Sequence, residues 1–153
     1  MKIKGLCLAL LLLFGSLSMN AKHILTKGFL FGFASSFNDS TVYLTNIQEV
    51  DAIWVDSKSK FLYSKENYSY QLRDHLKDNG MSTPTCVTIF ATKRKDIEKK
   101  YIALRKRYTS SKKQNFIVKY LSDTDFQFKP ITLSEEENNN VIVKQTSKKR
   151  KSK

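Results

Sequence analysis

Residues 85–121 carry three consecutive patterns that restrict the fold more than any other part of the chain. Residues 85–91, TCVTIFA, are nearly all apolar or β-branched, which is typical of a central strand buried on both faces. Residues 93–108 have an apolar stripe at helical spacing, and residues 116–121 alternate as a half-exposed strand does. The helical stripe consists of Ile97, Tyr101, Leu104 and Tyr108. Strand, helix and strand of this length match a βαβ crossover, which joins parallel strands.

The first residues of the domain predict a pair of antiparallel strands in addition to the parallel strands of the crossover. Residues 28–37 are dense in aromatic side chains, and residues 38–40 are Asn-Asp-Ser, which favour a turn. Residues 41–45 then resume a β-rich pattern. The two runs together predict a hairpin, so we expect a sheet that contains both parallel and antiparallel pairs.

Two helices are predicted between the hairpin and residue 85. Val50, Ile53 and Trp54 lie at i, i+3 and i+4, which predicts a short helix. A longer helix is expected to begin after a cap at Ser64 and to end at Asn79, where the next residue is a glycine. The apolar face of this longer helix is Tyr68, Leu72 and Leu76.

The end of the chain predicts a last strand followed by a tail. Phe126 and Phe128 alternate with polar residues, whereas residues 134–140, SEEENNN, cannot bury enough apolar surface to fold. We therefore predict a single α+β domain over residues 22–133. It should contain a mixed sheet of four or five strands with two main helices packed on one face. Residues 134–153 should form a flexible tail that is first polar and then basic.

Residues 1–21 have the three-part order of a cleavable secretory signal peptide. Lys2 and Lys4 precede an apolar run from Leu6 to Phe14, and small or polar residues continue to Ala21. The run is shorter than the roughly 20 residues that a membrane-spanning helix needs. We therefore expect an exported protein, periplasmic or extracellular and peripherally associated with the envelope, with no transmembrane span after cleavage.

The positive charge of the chain is concentrated in two segments. The formal net charge is +13, and residues 93–108 hold eight basic and two acidic residues while residues 144–153 hold six basic residues and no acid. The first three basic residues of the helix stand where the helix dipole disfavours cations, which predicts a bound anion there. The predicted anion-binding residues are Lys93, Arg94, Lys95, Lys99, Lys100, Arg105, Lys106, Arg107, Lys148, Lys149, Arg150 and Lys151. We expect their partner to be an anionic envelope surface, an acidic glycan or another envelope protein.

The sequence offers few groups for catalysis. Outside the predicted signal peptide, His23, His75 and Cys86 are the usual candidates at neutral pH. No metal-ligand spacing or phosphate-binding glycine loop occurs, so we expect no metal and no cofactor. The preferred hypothesis is a non-enzymatic interaction module. The alternatives are an envelope hydrolase that uses a Cys86/His75 dyad and, if residues 1–21 are not a signal, a nucleic-acid-binding protein.

Three stretches of the chain resemble small uncharacterised exported proteins from Bacteroidota. They are GFASSFNDSTVY at 32–43, YQLRDHL at 70–76, and FATKRK at 90–95 with EKKY at 98–101. The resemblance implies a periplasmic or outer-membrane-facing location. It implies no activity, ligand or catalytic residue.

Overall fold

The computed structural model describes residues 22–38, 40–110 and 115–134. Its elements are β1 (His23–Ser36), β2 (Thr41–Thr45), β3 (Gln48–Asp56), α1 (Lys65–Asp78), β4 (Pro84–Ala91), α2 (Arg94–Thr109) and β5 (Ile117–Leu121). The predicted α+β class, with a mixed five-stranded sheet and two helices in one domain, is confirmed. The predicted signal peptide and the predicted tail beyond residue 134 lie outside the described residues.

Strand β1 lies at the centre of the sheet and pairs along both of its edges. One edge pairs antiparallel with β4, from Phe29 to Ser36. The other edge pairs antiparallel with β3 along His23–Leu30 and with β2 along Phe33–Ser35. Strand β5 pairs parallel with β2. Strands β4 and β5 are therefore parallel to each other, and α2 connects them as the predicted crossover.

The two helices pack on opposite faces of the sheet, which corrects the prediction that both lie on one face. Side chains alternate along β1, so Leu30 and Ala34 point towards α1 while Phe31 and Phe33 point towards α2. The α1 side also buries Tyr68, Leu72, Leu76, Phe126 and Phe128. The α2 side also buries Val42, Leu44, Ala91 and Ile97. Because β1 is apolar on both faces, a cover on each side is needed to bury it.

Strand β3 occupies the residues for which the sequence predicts a short helix, and that prediction is wrong. Thr26 pairs with Ile53 and Gly28 pairs with Val50, so two steps along β1 face three steps along β3. The extra residue is a β-bulge. It keeps Val50 and Ile53 buried on the same face. The bulge thus produces the i, i+3 spacing that is otherwise typical of a helix.

Strand β4 is an edge strand, which corrects its predicted central position. Among the described strands it pairs with β1 alone, and its Val87 side chain is 47% exposed. Side chains from both helices cover the outer edge: the Thr88 N–H donates to Ser69 Oγ at 2.9 Å, and Lys100 Nζ donates to the Phe90 carbonyl at 2.9 Å. These bonds satisfy backbone groups that an edge strand would otherwise offer to another chain.

Helix α1 follows the predicted pattern except at the cap that precedes its first residue. Its three predicted core residues are buried: Tyr68, Leu72 and Leu76. Gly80 has a φ of +90°, the left-handed ending expected there. Ser64 does not cap the helix with its side chain; its hydroxyl accepts a bond from Asn67 Nδ2 at 2.6 Å instead.

The segment that contains Phe126 and Phe128 is buried but is not the predicted strand. Gln48 Nε2 donates to the Phe126 carbonyl at 2.7 Å, and Gln48 Oε1 accepts from the Phe128 N–H at 2.8 Å. Gln71 makes the same two bonds to the backbone of Lys129, at 3.0 and 2.8 Å. Two side-chain amides therefore replace a neighbouring strand and hold this segment against the α1 side of the sheet.

Candidate functional site

Helix α2 presents its basic residues to solvent because its apolar stripe is fixed on the sheet. The Tyr101 ring lies 5.0 Å from Phe31, and the Tyr108 ring lies 4.7 Å from Phe33. The opposite side of a helix recurs every three or four residues. The exposed residues on that side, named the basic face below, are Lys95, Lys99, Ile102 and Lys106.

Most of the predicted anion-binding side chains of α2 have no partner within the described residues. Arg94 pairs with Glu98 at 2.9 Å, and Lys100 bonds to the Phe90 carbonyl. Six others make no ion pair and no side-chain hydrogen bond with a described residue: Lys93, Lys95, Lys99, Arg105, Lys106 and Arg107. The remaining predicted residues, Lys148, Lys149, Arg150 and Lys151, lie outside the described residues.

The beginning of α2 offers less support for a bound anion than its sequence indicates. Lys93 precedes the first turn in an extended conformation with a φ of −114°, and no side chain caps the helix. Asp96 lies in the first turn. Its carboxylate offsets part of the unfavourable interaction between the helix dipole and the basic residues there. The unpartnered side of α2 is therefore a better candidate surface than its N-terminus.

A groove follows the outer edge of β4, between the beginning of α1 and α2. Its lysine-rich part has a volume of about 620 Å³, and its apolar part, beside α2, has a volume of about 500 Å³. Ile89 and Lys100 line both parts, so the two parts adjoin each other; together they are named the β4 groove below. Its charged residues are Lys60, Lys65, Asp96, Lys99, Lys100 and Arg107. Its larger apolar residues are Phe31, Phe61, Ile89, Phe90 and Leu104.

The loop between β3 and α1 places Lys60 and Phe61 at this groove. The Ser59 N–H and hydroxyl donate to Asp56 Oδ1 at 2.6 and 2.7 Å, and these bonds lower the pKa of Asp56. The Asp56 N–H donates to the Phe61 carbonyl at 2.9 Å, which closes the loop. Phe61 remains 76% exposed. Lys60, Phe61 and Lys65 were not predicted to belong to a site, because nothing in the sequence indicates that they line the same groove as α2.

Cys86 and His75 make no hydrogen bond to each other in the structure. The His75 ring lies 5.2 Å from the ring of Phe126. Cys86 lies on β4, where Arg73 is the charged group with the largest influence on its pKa. Burial raises the pKa of Cys86 to about 11, so the thiol is protonated at neutral pH. The structure therefore gives the predicted Cys86/His75 dyad no support, and the hydrolase alternative stays a prediction.

Cys86 is expected to react slowly with iodoacetamide in the folded protein. The thiolate is the reacting species, and raising the thiol pKa from 9.0 to about 11 lowers the thiolate fraction about 100-fold at about pH 8. A Cys7→Ser chain leaves Cys86 as the single thiol. Mass spectrometry should show about 100-fold slower labelling in buffer than in guanidinium chloride. Equal rates in the two conditions would contradict the protonated thiol.

Fold and site together define a single-domain α+β protein with an exposed basic helix beside a groove on an edge strand. Among the described residues, no three His, Cys, Asp or Glu side chains cluster as metal ligands do. In the same part of the chain, neither helix has the length and apolar character needed to cross a membrane. No family model matches the chain, and no curated protein or solved structure matches it.

Proposed function

We propose that this protein is an exported, non-enzymatic interaction module that binds an anionic surface of the cell envelope. The binding elements are the basic face of α2 and the basic tail that contains Lys148–Lys151. The observation that carries the proposal is the set of six basic side chains near α2 that have no ion-pair partner among the described residues. Cations without internal partners attract external anions most strongly.

The basic face has the features of a surface that binds phospholipid head groups. Ile97 is fully buried against the sheet, so its position determines which side of the helix faces solvent. Ile102 is 57% exposed and lies between Lys99 and Lys106. An exposed apolar side chain among lysines is typical of helices that lie at a membrane interface. The partner we favour is therefore an anionic phospholipid surface.

The signal-like order of residues 1–21 supports the location of this partner outside the cytoplasm. The run from Leu6 to Phe14 is long enough for a signal peptide and too short to span a bilayer. Export would carry the basic tail to the same compartment as the basic face. Recovery of an unprocessed chain from the cytosol would instead favour the nucleic-acid-binding alternative.

Cosedimentation with lipid vesicles tests the proposed function directly. The protein should sediment with vesicles that contain anionic phospholipid, and its affinity should fall at least about tenfold when salt rises from roughly 0.05 to 0.5 M, because the ions screen exposed charges. Vesicles of zwitterionic phospholipid are the control and should not bind. Equal binding to both kinds of vesicle, or binding that resists salt, would contradict the proposal.

A further inference from the structure

We infer that the β4 groove binds one molecule of an anionic amphiphile, which has an acidic head group and a hydrocarbon chain. The head group lies among the lysines near Lys99 and Lys100, and the chain lies along Ile89 and Leu104. The inference deepens the proposed function, on which it rests, by naming a ligand for a concave site that adjoins the basic face and shares Lys99 with it. The basic face recognises a charged surface, whereas the groove recognises a single molecule.

The charges of the groove select an acidic head group. Its lysine-rich part contains four lysines, Lys60, Lys65, Lys99 and Lys100, against the single carboxylate of Asp96. These lysines come from the loop before α1, from α1 and from α2, so the fold brings them together from distant parts of the chain. Lys100 is held in position by its bond of 2.9 Å to the Phe90 carbonyl. An ammonium group has two further hydrogens that can bind an acid oxygen.

Uncovered apolar side chains in and beside the groove favour a ligand with a hydrocarbon chain. Phe61 is 76% exposed, and Ile89 is only partly buried. Val87 lies two residues before Ile89 on the same face of β4 and is 47% exposed. Apolar side chains that line a groove provide the contact surface that a hydrocarbon chain needs. The volumes of the two parts are within the range of small-molecule sites.

The hydrogen bonds at the edge of β4 disfavour an extended peptide as the occupant. A peptide that adds to a sheet pairs with the free N–H and carbonyl groups of the edge strand. Here Ser69 accepts from the Thr88 N–H, and Lys100 donates to the Phe90 carbonyl. Two of the outward backbone groups are therefore already occupied. A ligand must bind through the lysines and the apolar side chains, which is how an amphiphile binds.

Calorimetric titration with dodecyl phosphate, kept below its micelle concentration, tests this inference. One molecule should bind per chain, at least about tenfold more tightly than inorganic phosphate, because the buried hydrocarbon adds affinity. Dodecyl maltoside, which is uncharged, should bind at least about tenfold more weakly than dodecyl phosphate, because it cannot pair with the lysines. Equal affinity for dodecyl phosphate and either control ligand would overturn the inference.

Two tryptophan substitutions on adjacent residues of α2 locate the site. Ala103 is exposed and lines the apolar part of the groove, so Ala103→Trp should fill it and lower the dodecyl phosphate affinity at least about tenfold. Ile102→Trp places the same side chain on the basic face and should leave that affinity unchanged. Circular dichroism checks that both variants fold. Equal effects of the two variants, or no effect of Ala103→Trp, would overturn the assignment to the groove.

The two proposals fail in different ways. If vesicle binding is lost while dodecyl phosphate still binds, the proposed surface function is wrong and the groove remains a ligand site. If vesicles bind as expected and dodecyl phosphate binds no better than inorganic phosphate, the groove inference is wrong and the proposed function stands.

Discussion

Replacing Gln48 with leucine is expected to lower the free energy of unfolding by about 2–4 kcal/mol. The substitution leaves the Phe126 carbonyl and the Phe128 N–H without the bonds that Gln48 provides. Gln48 is 8% exposed, Phe126 7% and Phe128 6%. Water therefore cannot readily take the place of the Gln48 side-chain amide. Each buried polar group left unpaired costs about 1–3 kcal/mol, and the added apolar burial of leucine offsets part of this loss.

Gln71→Leu is the matched control for this prediction. Gln71 makes the same two bonds to the backbone of Lys129, but both bonds are exposed to water. The loss should therefore be no more than about 1 kcal/mol. Urea unfolding followed by the fluorescence of Trp54, the chain's single tryptophan, measures both variants. Similar losses in the two variants would show that burial does not determine the contribution of these glutamine bonds.

The Gln48 bonds also explain how residues 126–128 can be buried without forming the predicted strand. Phe126 and Phe128 are buried and Gln127 between them is exposed, so the pattern correctly indicates a segment with an inner and an outer side. A strand additionally needs a backbone partner, and here side-chain amides provide it. Sequence periodicity reports which side chains are buried and contains no information about what satisfies the backbone.

Periodicity was most informative where neighbouring residues along the chain determine the outcome. The crossover over residues 85–121, the opening hairpin and the ending of α1 at Gly80 are all present. The bulge in β3 gives strand residues the spacing of a helix, and for this reason the short helix predicted there was wrong. The aromatic run of β1 required cover on both faces, and the position of each helix followed from that strand and not from the helix itself.

The candidate site was predictable only in part. The basic character of α2 and its apolar stripe together specify which residues face solvent, and the structure confirms that Lys95, Lys99 and Lys106 are exposed. The β4 groove was not predictable, because Phe61 and Lys65 are distant from α2 in the sequence. Its formation depends on β4 being at the edge of the sheet, whereas the apolar run of residues 85–91 predicted a central strand.

Replacing Lys95, Lys99 and Lys106 together with glutamine is expected to lower the affinity for anionic vesicles about 100-fold at low salt. A lysine close to an anionic membrane contributes about 1 kcal/mol, a factor of about 5 in affinity, and the three contributions multiply. Glutamine has a helix propensity similar to that of lysine, so α2 should remain folded. The loss should shrink towards zero as salt rises, because the wild-type advantage is electrostatic.

A second triple variant separates a binding surface from a simple effect of net charge. Lys77, Lys119 and Lys129 are exposed and belong to α1, β5 and the segment held by Gln71, none of them on α2. Replacing them with glutamine removes the same total charge, yet it should lower the vesicle affinity less than about threefold, because these lysines would face away from the membrane. If the two triple variants lose affinity equally, overall charge drives the binding and α2 is not the contact surface. If only the α2 variant loses affinity, the basic face of α2 is the contact surface, and the packing of that helix on the sheet determines its orientation.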